Sequence, residues 1–393
     1  MADAAILALN AGSSSVKFTL FAREGDAPRA ICRGEIEDVG GAGRLHVKDA
    51  AGATLTDVAA ADPMRDPDGA LSALLDWTDR HLGSSTLACV GHRIVHGGRD
   101  FTAPVRIDAT VMSALEALCP LAPLHQPHNL AGVRAVERAR PGLPQTASFD
   151  TAFHAGHAPT VARFALPRRY EAEGVRRYGF HGISYDYLSH RLAALDPALA
   201  KGRVIAAHLG NGASLCALAN GKSVDTTMGF SALDGLVMGT RCGAVDPGVL
   251  LYLQDHDGLD SKGVSDLLYK QSGLLGVSGL SADVRDLLAS DKPEAKEALD
   301  LFAFRAARET AALTATLAGL DGLIFSAGIG ENAAAVRAAI CERLSWLGLT
   351  LDPTLNAKGG EARISTPDSR VAVWIVPTDE EAIIVRDALA LLG

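Results

Sequence analysis

ILALNAGSSSVKFTLF, residues 6–21, decides the fold. An apolar run leads into a Gly-Ser turn and then to Lys17, which is how a phosphate-binding P-loop begins. A P-loop would continue as a helix, but here Phe18, Thr19, Leu20 and Phe21 return to strand-type residues. The segment therefore reads as a β-hairpin whose turn is closed by small residues. The stretch RVIAAHLGNGASLCALANGKSVDTTMG (203–229) repeats the logic: strand, small-residue turn at 210–214, second strand, then an Asn220-Gly221 hairpin turn. Two such hairpins about 200 residues apart predict two similar domains, each aiming backbone N–H groups at an anion, although either hairpin alone is ordinary.

Between and beyond the hairpins the chain is α/β. Residues 3–58 read as a strand meander. Helical periodicity follows at Gly69–His81, Asp108–Leu118, Asn129–Ala139, Ser184–Leu195, Lys296–Leu317, Ala333–Leu347 and Glu380–Leu392. Buried-strand runs fall at 87–96, 146–153, 203–210, 322–328 and 371–377. At 393 residues and 48% hydrophobic, with mean hydropathy slightly above zero, the chain can bury a sizeable core and divides into two domains. We place these at 1–150, completed by the terminal helix 381–393, and at 151–380. No apolar run reaches membrane-span length and no secretory leader is legible, so a cytoplasmic location is expected. A net charge of −9 without a long basic run argues against nucleic-acid or membrane partners. Six scattered cysteines with no CxxC pair fit reduced thiols.

Several short motifs carry chemistry-bearing residues. GHRIVHGGR (91–99) ends a strand in Arg93, and guanidinium suits a carboxylate or phosphate. SFDTAFH (148–154) places Asp150 after a strand end, where it would serve as a general base, hold Mg²⁺ through water, or cap a turn. YGFHGIS presents His181 and AHLGNG presents His208, each beside glycine; either is a site residue or a satisfied structural group. VMGTRCG carries Arg241, and SADVRDLL carries Asp283 and Arg285. GLIFSAGIGEN (322–332) runs a strand into a helix start that can receive a phosphate or nucleotide edge, or is a simple turn. It is not a dinucleotide fingerprint, because position 333 is alanine. In PTDEEAIIV, Thr378 and Glu381 have capping-box spacing, leaving Glu380 as the carboxylate available to a metal. Glycine loops in both halves, with arginines, histidines, a lysine and carboxylates, form an inventory for phosphoryl transfer. No GxSxG or nucleophile pair points to a hydrolase.

In order, NAGSSSVKF, GHRIVHGG, PLAPLH with Asn129, FDTAFH, YGFHG, HLGNGAS, MGTR, GIGEN and PTDEE closely resemble the acetate kinase family across nearly the whole chain. The resemblance implies two similar actin-like, ribonuclease H-like domains with the active site in the cleft between them. It also implies reversible ATP-dependent phosphorylation of acetate to acetyl phosphate, with propionate or another short-chain acid, then a sugar or glycerol, as the alternatives. Mg²⁺, with Mn²⁺ as a substitute, and a homodimer are implied as well. By position, Asn10 and Glu380 would lie on the metal side, with Lys17 near the ATP phosphates. Arg93 and Arg241 would grip substrate carboxylate and moving phosphoryl group, His181 would stabilise the transition state, and Asp150 would be the essential carboxylate. His208, Leu209, Gly210, Asn211 and Gly212, with Asp283, Val284 and Arg285, and with Gly328, Ile329, Gly330, Glu331 and Asn332, would form the nucleotide site. Val95, Leu124 and Phe180 would line a methyl pocket, with Ala232 where the family commonly has proline. Tyr185, where the family usually has histidine, and Ala244, where it has an acidic residue, depart from the pattern.

Overall fold

Six consecutive apolar residues, Ala4–Leu9, open the first strand and need cover on both faces, and the structure supplies it. The computed structural model describes residues 4–12, 15–24, 27–39, 43–59 and 67–392. The chain divides into two compact units, residues 1–153 with 379–393, and residues 154–378.

The first unit is built on an eight-stranded sheet. β1 (Ala4–Ala11), β2 (Val16–Glu24), β3 (Ala27–Glu37), β4 (Arg44–Asp49) and β5 (Thr54–Ala59) form an antiparallel meander, as the alternating pattern predicts. β6 (Thr86–Ile94) then runs parallel to β1, and β8 (Gln145–Phe149) parallel to β6, while the two-residue β7 (Val105–Arg106) pairs antiparallel with β8. Ala5, Leu7, Leu9 and Ala11 of β1 pack with Leu71, Leu74 and Leu75 of the helix Pro67–Leu82 and Val136 of the helix Gln126–Ala139. The terminal helix Glu380–Leu392 also lies on this sheet. Ile384 would meet a Cβ at Gly91 at 2.6 Å, and Asp387 accepts a 2.8 Å bond from Ser148 Oγ, so the close approach requires glycine at 91. A strand buried on both faces has no polar side to show, which accounts for the unbroken apolar run.

In the second unit the pattern recurs in six strands. β9 (Arg203–Leu209), β10 (Ala213–Ala219) and β11 (Lys222–Thr226) are an antiparallel meander; β12 (Gly322–Ser326) runs parallel to β9 and β14 (Ala372–Ile375) parallel to β12, with β13 (Ala362–Arg363) antiparallel to β14. Both sequence-predicted hairpins are present, β1–β2 and β9–β10. Ser13 and Ser14 of the first turn lie outside the described residues.

Three expectations are corrected. The strand read as 322–328 ends at Ser326, because Ala327 takes φ +63° and starts the helix Ala327–Asn332. The strand read as 146–153 ends at Phe149, and residues 152–154 form a helical turn. The capping box does not form: Asp379, not Thr378, caps the last helix by accepting from Ala382 N–H at 3.1 Å, and the Thr378 hydroxyl pairs with Ser184 Oγ. Residues 247–278 carried no predicted element yet contain helices Pro247–Asp257, Ser261–Lys270 and Gly273–Ser278. The first has no buried residue, so periodicity was silent, but its Asp246 cap, Pro247 start and left-handed Gly258 stop were legible signals.

Candidate functional site

Parallel strands deliver their C-terminal ends to one edge, where ligands of open α/β sheets bind. In the first unit β1, β6 and β8 bring Asn10, Arg93 and Asp150 there. Arg93 Nε lies 3.0 and 3.1 Å from the two Asp150 oxygens, Nη2 donates at 2.7 Å, and Nη1 donates to Asn10 Oδ1 at 3.2 Å. Glu380 stands 3.8 Å from Arg93 Nε. Burial opposes the Arg93 charge, but Asp150 and Glu380 override it and raise its pKa. The Asp150 side chain is 1% exposed and that of Arg93 23%, so the carboxylate is enclosed while the guanidinium keeps an open side. Three of its five N–H groups are used in these bonds, leaving two for a ligand. Asn129 locks the strand ends: Nδ2 donates to Ala11 O at 2.7 Å and Oδ1 accepts from Val95 N–H at 2.9 Å. Lys17 is the cross-strand partner of Asn10 and so shares its face, lining a concavity of about 590 Å³ with Arg33, His46, Lys48 and Glu381. Burial and the neighbouring Glu380 raise the pKa of Glu381.

Of the expected methyl-pocket residues in this unit, Val95 is buried and Leu124 exposed. In the second unit Phe180 is buried and Ala232 half-buried, its carbonyl accepting from Arg241 Nη1 at 3.0 Å.

Here His181 is held at φ +57° at the start of the helix Gly182–Leu195, the uncommon left-handed region that concentrates at functional sites. The preceding carbonyl, of Phe180, accepts from His154 Nε2 at 3.0 Å. The rings of His181 and His208 stack with centroids 4.2 Å apart. A Cβ at Gly212 would lie 3.3 Å from His181 Nε2 and 3.6 Å from Arg241 Nη1, so glycine there keeps open the space on which both groups face.

Segments far apart in sequence gather around a cavity of about 570 Å³: Gly210 and Asn211, Asp283 to Arg285, and Gly328, Ile329 and Asn332, with Leu288 and Ala333. Asp283 caps the short helix after it and pairs with Arg285, whose side-chain and backbone hydrogen bonds hold the Asp283 carboxyl below its usual range. His208, Leu209, Gly212, Gly330 and Glu331 do not line this cavity. Leu209 and Gly330 are buried, and Glu331 turns away to accept from Thr378 N–H at 3.2 Å. One N–H group in each hairpin turn is committed within the chain: Gly12 N–H closes on Ser15 O at 2.8 Å, and Gly210 N–H closes on Gly212 O at 3.1 Å.

Sequence reasoning missed the residues that hold the site. Buried Arg337 donates to the carbonyls of Gly330 and Glu331, both at 2.9 Å, and to Asn356 Oδ1 and O at 2.8 and 2.6 Å. Its neighbours are carbonyl and amide oxygens, and burial lowers its pKa. Ser214 and Ser184 bind the two stacked imidazoles at 2.8 Å each. Nothing in composition marks these serines; only their place in β10 and in the helix after His181 does.

Residues 5–386 match the Acetokinase family. The acetate kinase of Rhodopseudomonas palustris is 49% identical over 385 residues, covering 97% of this chain and 96% of that one. Among solved structures, the acetate kinase of Porphyromonas gingivalis superposes with a TM-score of 0.88 at 38% identity, covering 99% of this chain and 100% of that one. A propionate kinase of Francisella tularensis gives 0.91 at 35%, with the same coverage.

Proposed function

The chain belongs to the acetokinase family, and from that premise we propose that it transfers the γ-phosphoryl group of ATP reversibly to the carboxylate of acetate, forming acetyl phosphate. The observation that carries the reading is Arg93: a guanidinium fixed on two edges by Asp150 and Asn10, with N–H groups remaining to grip a carboxylate. Acetate is ionised at neutral pH, its acid titrating near about 4 as side-chain carboxyls do, so its attack on phosphorus needs no general base. Asp150, engaged by three contacts to Arg93, then acts by orienting that guanidinium.

In the second unit the cavity beside Gly210 takes the nucleotide. Ile329, Val284, Leu288 and Ala333 offer apolar walls for a base, and Asn211, Asp283, Arg285 and Asn332 offer polar contacts. His181 Nε2 and Arg241 Nη1, both facing the space over Gly212, stabilise the charge on the moving phosphoryl group. Magnesium takes oxygen donors and few protein ligands, and the Asn10 oxygen and Glu380 carboxylate fit that preference. When bound, the ion neutralises charge on the β- and γ-phosphate oxygens. Lys17, on the Asn10 face, adds a cation on the phosphate side.

Propionate is the second reading, favoured by the likeness to the Francisella propionate kinase and by the small Ala232 side chain. We further propose a cytoplasmic homodimer. No described helix is long and apolar enough to cross a membrane, and the helix Pro247–Asp257 presents Leu251 at 62% and Tyr252 at 57% exposure, an apolar surface suited to a second copy. Trapping of ATP-dependent acyl phosphate with hydroxylamine, using acetate, propionate, butyrate and glycerol, tests the activity. Product from acetate or propionate but not glycerol is expected; no product from any acid overturns it.

A further inference from the structure

His181 is not held alone. Its Nδ1 lies 2.8 Å from Ser214 Oγ, and Ser214 Oγ lies 2.5 Å from the hydroxyl of Tyr185, four residues after His181 on the same helix. Both Tyr185 and Ser214 are fully buried, so each proton in this chain needs a partner inside the protein. The second imidazole is held in the same manner, His208 Nδ1 at 2.8 Å from Ser184 Oγ, and stacks on the first.

The direction of the protons follows from the donors available. Of the two hydroxyls in the 2.5 Å pair the phenol is the more acidic and so the better donor, which assigns the Tyr185 proton to Ser214. Ser214 has a single proton, and with Tyr185 donating to its oxygen that proton goes to His181 Nδ1. An imidazole that accepts at Nδ1 carries its proton at Nε2. Nε2 is the atom that faces the space over Gly212, beside Arg241 Nη1. Burial also keeps the Tyr185 phenol protonated, so it remains a donor.

We propose that Tyr185 is a positioning residue, which acts through Ser214 to hold His181 in the Nε2–H tautomer and so makes Nε2 a donor towards the Gly212 turn. The proposal differs from assigning His181 a role by itself: it makes the tautomer a property of a buried hydroxyl that touches no substrate. Its kinetic part rests on the acyl kinase reading; its spectroscopic part does not.

The test is ¹⁵N NMR of the full chain with labelled histidine, the His181 ring assigned by the signals lost in His181→Asn. In the unsubstituted protein Nδ1 is expected at an acceptor-type shift and Nε2 at a protonated-type shift. In Tyr185→Phe, Ser214 is freed to turn, and the ring is expected to become a mixture of tautomers. The kcat for acyl phosphate then falls about tenfold while KM for ATP and for the acid is unchanged. Ser214→Ala should reproduce this, and Ser214→Thr, which keeps a hydroxyl, should restore it. A protonated Nδ1 in the unsubstituted protein, or a Tyr185→Phe ring identical to it, overturns the proposal. Should Tyr185→Phe not fold, the unsubstituted spectrum and Ser214→Ala decide. Absence of any acyl phosphate would overturn the proposed activity, while the ¹⁵N shifts would still decide the tautomer.

Discussion

Lowering the pH to the mid-fives should destabilise this protein, and four buried histidines set the amount. His92 and His96 in the first unit and His157 in the second have pKa values lowered to about 4, and His154 to about 3, in each case because burial disfavours the charged ring. Their bonds suit neutral rings. His92 Nε2 pairs with Gln145 Oε1 at 2.8 Å, His96 Nδ1 accepts from Gly98 N–H at 2.9 Å, and His154 and His157 share Ser223 Oγ at 2.7 Å. In the unfolded chain each ring titrates near about 6.5. Stability from these groups is therefore complete above the unfolded value and is lost as pH falls from it towards the folded values. Between about pH 7.5 and about pH 5.5 each ring costs about 1.3 kcal/mol, a figure that holds for any folded pKa below about 5. Two rings in each unit cost that unit about 2.6 kcal/mol, a large share of a typical ~5–15 kcal/mol. Ordinary carboxylates titrate lower, and Glu381, raised by burial and by Glu380, acts with the opposite sign and offsets part of the loss. Urea unfolding followed by circular dichroism at the two pH values measures the loss as a lower midpoint at about pH 5.5. An unchanged midpoint, or ring C2–H signals of these four residues titrating between about 6 and 7, would refute the reasoning.

Other expectations are more local. Asp150→Asn removes the enclosed anionic partner of Arg93; a stability loss of about 2–3 kcal/mol by urea titration, less than for a fully buried pair because Arg93 is 23% exposed, should accompany at least a hundredfold loss of acyl-phosphate formation, on the order expected for a misplaced cation. Gly212→Ala places a methyl between His181 Nε2 and Arg241 Nη1 and should lower kcat about tenfold or more with an unchanged circular dichroism spectrum; full activity would show that the space over Gly212 is not used. Ala232→Pro should lower the kcat/KM of propionate relative to acetate about fivefold, the worth of one methylene, and an unchanged ratio removes Ala232 from substrate choice. Leu251→Asp should shift the protein from dimer to monomer in sedimentation, and a dimer that persists would place the interface elsewhere.

Much of this architecture is legible in the residues. The strand-type return after Gly12 and its echo after Gly212 predict the paired hairpins, and parallel strand ends then bring Asn10, Arg93 and Asp150 together without further information. What sequence spacing does not carry is the commitment of each polar group. Asp150 reads as base, metal ligand or cap, and only the register of β6 against β8 shows that Arg93 occupies it. Thr378 has capping-box spacing, yet a hydroxyl pair with Ser184, 194 residues away, outweighs the local pattern. The exposed helix Pro247–Asp257 escapes periodicity because it has no inward face to mark.

Arg337 has a practical consequence for anyone wishing to move the GIGEN turn into another scaffold. Its planar fork grips Gly330, Glu331 and Asn356 at once, so the turn's shape is inherited from the helix behind it. A graft of residues 326–333 alone would carry the letters without the geometry. The transferable unit runs at least to Asn356, and lysine, with one point of charge where a flat five-donor group is needed, would not substitute at 337.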